Sequence, residues 1–488
     1  MINISNSKGR QLFAFVLCLV VTAGGSVVAQ GTAGGAEHSR AGGATIAAQV
    51  LERNVRAHME FLASDAMQGR GSGTQYELLA GHYIASQLRQ YGVEPAGDTT
   101  GGQKSFIQTV ALTRQAFADA PVLSLNVAGG AEERRWMHGR EMLVTRVTAA
   151  QSKGALQKLR ADERPAPGAF VLMTQDEGSG ARQLYAQAMA MLRQGAAAVF
   201  VAENAQLRRN WAAMGAKPPE LPLLAGDTAG SMIVLSTDAF KELQAAAEGT
   251  QITLGGTLAP AQTSYTWNVI GVLPGADAKL GTEAVLLSAH MDHIGVGTGQ
   301  TGDQIYNGAD DDASGVVAVL ELARALSGAA HKRTVYFVLF GSEERGGYGA
   351  QYFLAHPPVP LARMVANLEF EMIGRPDPKV AADTLWLTGY ERSNLGAELA
   401  RQGARLVADP HPEQNFFQRS DNYALARRGV VAHTVSSFGL HPEYHQPNDD
   451  IAHINFAHMT RAINSMVAPV RWLVNSNFTP AWAEGKKP

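Results

Sequence analysis

Three continuous apolar runs in the C-terminal half each end on residues able to bind a cation. Glu283 to Ala289 ends at His290, Thr334 to Phe340 ends at Gly-Ser-Glu343-Glu344, and Met364 to Leu368 leads into Glu369 and Glu371. Between the first two lies a helical stretch from Val316 to Leu326, with Val316, Val319, Leu320 and Ala323 on one face. Unbroken apolar strands alternating with helices indicate a sheet whose two faces are both covered. The fold class expected is α/β, a mixed but mainly parallel sheet sandwiched by helices. In such sheets ligands bind beyond the carboxyl ends of the strands, where the His and carboxylates fall.

Five segments carry the chemistry: S-A-His290-M-Asp292-H, G-A-Asp310-Asp311-Asp312-A-S-G, F-G-S-Glu343-Glu344-R-G-G, Asn367-L-Glu369-F-Glu371-M-I-G-R and His441-P-E-Y-His445-Q-P. Metals held by imidazole and carboxylate with positions left for water are hydrolytic metals. In the H-x-D pair, one side chain binds while the other accepts the imidazole's second N–H. Three adjacent aspartates repel unless cations or donors compensate; the bland alternative is a solvated turn, with Asp312 or Ser314 capping the next helix. Of Glu343 and Glu344, one carboxylate can bind metal while the other takes a proton from water. Glu369 and Glu371 share a strand face, so either can reach the site. His433, in an apparent strand, reads as structural, and Tyr444 as a donor to developing charge. Each segment has an ordinary explanation alone; together, in order, they make a metal site the leading reading.

The remainder sets the context. Net charge is −3, with 45% hydrophobic and 17% charged residues, so neither a nucleic-acid groove nor a polybasic membrane face is expected. Lys8 and Arg10 precede an apolar run from Leu12 to Thr22 and small residues at Val27-Val28-Ala29. That reads as a signal peptide over 1–29, too short to span a bilayer at about 20 residues. The expectation is export, to the periplasm or medium, with no stable membrane insertion afterwards. The one cysteine, Cys18, lies inside this run, so the mature chain has no disulfide. Residues 30–49 are a Gly/Ala-rich linker, followed by helical stretches from Val50 and over Leu78–Tyr91, the latter with Leu79, Ile84, Leu88 and Tyr91 recurring. Residues 115–262 change character, with strands at 167–174, 196–202 and 232–235, helices at 184–194 and from Thr237, and no ligand cluster. They read as an insert between an N-terminal part (50–114) and the main domain (263–475), with a tail over 476–488.

From about Trp267 to Leu473 these motifs resemble the zinc aminopeptidase family that also includes glutamate carboxypeptidases and glutaminyl cyclases, metallopeptidase family M28. F-L-A-S-D-A-M-Q-G-R-G-S-G-T resembles the family's N-terminal piece, and A-Q-A-M-A-M-L-R-Q-G-A-A-A-V-F-V resembles a protease-associated domain. The resemblance implies a zinc-exopeptidase fold with a smaller α/β or β-rich insert, and two divalent ions, zinc first. One ion would be held by His290 and the later acid, the other by Glu344 and His445, with Asp311 bridging. Glu343 would be the general base and Asp292 would orient His290. The family's N-x-D-M-x-G is here E-F-E-M-I-G-R: alignment on M-I-G-R makes Glu371 the ligand, alignment on Asn367 makes it Glu369, and the former is favoured. It also implies a cis peptide between Asp311 and Asp312. The implied activity is removal of N-terminal residues from peptides. A carboxypeptidase or dipeptidase would instead need an arginine for the substrate carboxylate, and Arg375 and Arg419 are available. A one-metal acyltransfer enzyme of the cyclase type, and a non-catalytic binding protein on this fold, are further alternatives.

Overall fold

The computed structural model describes residues 49–126, 133–174, 181–221, 224, 230–297 and 302–488. The expected signal peptide, and all of the linker but its last residue, lie outside them.

The main sheet has nine described strands. Its order is Glu94–Pro95, Gln262–Leu273, Thr334–Phe340, Ala284–His290, Met364–Phe370, Val431–Ser436, Leu385–Leu387 and Leu406–Ala408, with Ile107–Arg114 also paired to Gln262–Leu273. The four central strands, from Thr334–Phe340 to Val431–Ser436, are mutually parallel, so their carboxyl ends share one edge. The apolar runs form these strands because both faces are covered; Ala284–His290 is buried at every position. Helix Gly315–Leu326 is buried almost all round, between the sheet and the helices Glu52–Leu62 and Phe456–Asn475. A helix apolar on every side needs such enclosure.

One predicted face is shifted. Helix Gln75–Gln90 buries Glu77, Ala80, Gly81, Ile84 and Leu88, and Leu79 is 45% exposed. The cause is Glu77, whose carboxylate accepts from Gly73 N, Thr266 Oγ1 and Ser342 N. A buried acid with three donors turns the helix away from the register that apolar residues alone suggest.

The chain leaves the main sheet on Ile107–Arg114 and returns on its antiparallel partner Gln262–Leu273. The residues between build a second sheet in the order Glu133–Met137, Val122–Asn126, Gln251–Gly255, Gln151–Arg160, Phe170–Thr174, Ala198–Ala202, Ser231–Leu235 and Met142–Arg146. This β-rich unit has its own apolar cores and is consistent with a protease-associated insert.

Candidate metal centre

His290, Glu343, Glu344 and Glu371 stand where a central strand gives way to a loop, whereas Asp311 opens the segment leading into helix Gly315–Leu326 and His445 lies in the loop after Val431–Ser436. His290 ends its strand opposite Phe340. Glu343 and Glu344 follow Thr334–Phe340, and Glu371 follows Met364–Phe370. Four non-glycine residues beside these acids or in the loop of His445 have left-handed backbones: Ser342 (φ 54°), Met372 (φ 53°), Leu440 (φ 58°) and His445 (φ 57°). Such conformations cost on the order of 1 kcal/mol and persist where surroundings enforce them. For Met372 the enforcement is a hydrogen bond from its N to Asp312 Oδ1.

The three aspartates are buried rather than a solvated turn. Asp310 accepts from Gly374 N and faces His441 Nε2 at 2.9 Å. Asp312 accepts from His290 N, Gly315 N and Met372 N, so it caps helix Gly315–Leu326, while Ser314 Oγ turns back to Asp310 O. Asp311 points into the site, and the Asp311–Asp312 peptide is cis. Gly308, with φ 58°, is required beside them: a Cβ there would lie 2.2 Å from Asp311 O and 2.6 Å from the His293 ring.

Two donor groups meet at Asp311. His290, Asp311 and Glu371 form one; His293, Asp311 and Glu344 form the other. His290 Nε2 lies 3.1 Å from Asp311 Oδ1, and His445 Nε2 lies 3.2 Å from both Asp311 Oδ2 and Glu344 Oε2. Tetrahedral zinc ligands at 2.0–2.2 Å stand about 3.3–3.5 Å apart, close to these separations. His293 Nδ1 approaches Glu344 Oε1 to 2.8 Å, yet neither atom has a hydrogen-bond partner, and His445 Nε2 has none among the described residues. Buried polar atoms that converge without hydrogen-bond alignment fit a cation between them.

Charge follows the same division. Burial opposes the charged form of His290, but Asp292 and Asp311 outweigh it and its pKa stands well above normal. Burial likewise opposes charge on His445, and Asp311 and Glu344 raise its pKa to about 10. Burial would push Asp311 up, but His290 and His445 hold it well below the carboxylate range. Glu344 is also lowered: His293 and His445 overcome its burial and the Asp311 charge. Glu343 goes the other way, raised well above normal by burial first, then by Asp421, Glu371 and Glu344, against the pull of His290.

The placement of the sequence-derived residues is thus specific. Glu371 joins His290 and Asp311; Glu369, one turn of the pleat earlier, is fully buried with both carboxylate oxygens unpartnered. Asp292 Oδ1 is 3.7 Å from His290 Nδ1, while its main-chain oxygen is nearer at 3.2 Å. The Asp292 carboxylate accepts from Glu343 N and Ser72 Oγ, tying the Glu343 backbone to the His290 loop. His433 sits between Ser393 Oγ and Thr388 O, away from both groups.

Three residues escaped sequence reasoning. His293 carried one signal, its place directly after Asp292 in the same loop. Arg70 carried none. Fully buried, it donates to the carbonyls of Leu62, Met291, Asn307 and Gly308, joining the His290 and Asp311 loops. Glu77 braces Ser342, the residue before Glu343.

The groups open on a cleft lined by residues of several loops. Its lining includes the acids Asp311, Glu343, Glu344 and Glu371 and the aromatic residues Trp386, Phe416, Phe438 and Tyr444. Trp386 stacks on Phe416 at 5.4 Å, and its indole N–H donates to buried Asp377. Tyr444 stacks on His445 at 3.9 Å.

A mainly parallel sheet with two candidate metal-binding groups meeting at one shared aspartate defines an α/β protein with a candidate two-ion centre. Residues 268–470 match the description Peptidase family M28. Aminopeptidase YwaD of Bacillus subtilis is 26% identical over 226 residues, 45% of this chain and 47% of that protein. Leucine aminopeptidase 2 of Trichophyton rubrum is 26% identical over 234 residues, 42% of this chain and 44% of that protein. The chain thus spans less than half the length of these curated relatives. Among solved structures, a zinc aminopeptidase from Bacillus subtilis superposes with a TM-score of 0.46 at 19% identity, covering 90% of this chain and 98% of that one.

Proposed function

We propose that the protein is an exported two-zinc exopeptidase that removes N-terminal residues from peptides. The observation carrying this reading is the pair of donor groups joined at Asp311, with Glu343 beside them at the head of a cleft. The relatives named above are aminopeptidases, which supports the substrate class. Export rests on the apolar run from Leu12 to Thr22 and the small residues after it.

His290, Asp311 and Glu371 would hold one ion, and Asp311, Glu344 and His445 the other, with His293 beside Glu344. Bound there, zinc supplies Lewis-acid polarisation of a carbonyl and acidifies water. Glu343 takes the proton from the attacking water and passes it to the leaving amine. The acids of the cleft hold the free α-amine, and its aromatic residues take an apolar side chain. Asp292 fixes Glu343 through its backbone N–H.

The test is an activity panel of free, N-blocked and C-blocked peptides on protein that has been stripped of metal and reloaded with zinc. Free N-termini should be required, and activity should return with metal. Equal cleavage of N-blocked peptides would remove the aminopeptidase reading, and full activity in metal-free protein would remove the mechanism.

A further inference from the structure

Two arginines come near the cleft, and their surroundings differ. Arg375 is committed: its Nη1 is 2.8 Å from Glu443 and its Nη2 is 3.7 Å from Asp449, whose carboxylate in turn accepts from the backbone of Asp310 and Asp311. It braces the aspartate loop and does not line the cleft. Arg419 does line it, and is exposed at that wall. Its guanidinium lies over the Phe416 ring at 4.9 Å and faces Tyr444 at 6.0 Å. Among the described residues it has no ion pair and no side-chain hydrogen bond.

We propose that Arg419 is a carboxylate-binding subsite of this cleft, so that the preferred substrates are short peptides, dipeptides first, whose negative end reaches it. The proposal rests on the peptidase reading and narrows it. A guanidinium lying on an aromatic face keeps its in-plane N–H donors free, and a carboxylate is the planar anion that matches that fork. Arg419 is the cationic lysine or arginine of a cleft whose other charged groups are the acids of the metal centre and His445. Those acids suit an α-amine and repel a carboxylate, so an anionic group entering the cleft is drawn to Arg419 rather than to them. The aromatic support also holds the long side chain in place, which lowers the ordering cost of binding. A carboxylate can arrive as the C-terminus of a dipeptide or as an acidic side chain on the N-terminal residue, and the experiment separates the two.

Binding is measured by calorimetry on the zinc-loaded Glu343→Gln variant, with and without Arg419→Gln or Arg419→Lys. The probes are Leu-Leu, Leu-Leu amide and Glu-Leu amide; kcat and KM are measured in parallel on the protein with Glu343 intact. Leu-Leu should bind roughly tenfold more tightly than its amide. Arg419→Gln should erase that difference and Arg419→Lys keep part of it, with the effect in KM rather than kcat. An Arg419-dependent advantage of Glu-Leu amide over Leu-Leu amide would keep the subsite and assign it to the side chain. Equal binding of acid and amide together with no gain for the Glu peptide, or differences that survive Arg419→Gln, would overturn the proposal. Absence of turnover with Arg419-dependent binding intact would instead count against the catalytic reading and leave the subsite standing.

Discussion

Glu343 and Glu344 are neighbours in sequence with opposite surroundings. Glu344 lies against His293 and His445, which hold it ionised; Glu343 faces burial and three other acids. The first is suited to bind a cation and the second to carry a proton. Glu343→Gln is therefore expected to keep both metals and lose about 10²–10⁴-fold in turnover, since the amide fills the space but accepts no proton. Glu344→Gln should instead lower metal content, measured by elemental analysis of dialysed protein; the reverse pattern would exchange the two roles. A second residue-scale prediction concerns His433. Burial depresses its pKa from 6.5 to about 4. The folded state keeps it neutral where the unfolded state takes up a proton, so its stabilising contribution is present above pH 6.5 and is lost as pH falls through 4. The gap is worth on the order of 3 kcal/mol. Urea unfolding at pH 7.5 and 4.5 should show a smaller acid loss for His433→Gln than for the parent, and identical losses would refute the assignment.

At the scale of elements, the loops after the strands are held by one side chain. Arg70 satisfies carbonyls at Met291, Asn307 and Gly308, which otherwise face a dry interior. Arg70→Ala leaves them unpaired and should cost about 3 kcal/mol or more. Arg70→Lys should recover little, because an ammonium cannot reproduce the planar fork. Urea unfolding combined with metal analysis checks this: the variant that stays folded should still hold less zinc, and unchanged stability would show that water replaces the guanidinium. Arg70 also marks the limit of sequence reading. The strands and the positions of His290, Asp311 and Glu344 were legible because burial on both faces demands unbroken apolar runs, and a strand's end is where chemistry can emerge. Arg70's partners are backbone carbonyls more than 200 positions away, at Met291, Asn307 and Gly308, and a carbonyl has no residue identity to read. Leu79 misled for a related reason, since the helix turned to bury Glu77 against donors that only the tertiary fold supplies. The choice of Glu371 over Glu369 depended on an alignment frame, because two acids on one strand face are equivalent to any local pattern.

On the scale of the whole molecule, the fold is two cores on one stem. The apolar clusters of the main sheet and those of the insert share no residue, and the link between the units runs through the paired strands Ile107–Arg114 and Gln262–Leu273. The donors of the candidate metal centre belong to the strand ends and loops of the main-sheet unit. A ligand stabilises the state that binds it, by an amount set by its concentration over its dissociation constant. Zinc should therefore stabilise one core and leave the other nearly untouched, and unfolding should depart from a single two-state step. Calorimetry of the zinc-loaded protein is expected to show two transitions. After chelation the one from the main sheet should move down by several degrees, while the one from the insert, which retains Phe170, Phe200, Ile233 and Leu254 in its own core, should stay in place. The assignment can be checked by a cavity mutation in each core: Leu254→Ala should lower the chelator-insensitive transition, and Leu287→Ala the sensitive one, each by roughly 2–5 kcal/mol of stability. A single transition that shifts as a whole on chelation would mean that the paired strands couple the two cores into one cooperative unit.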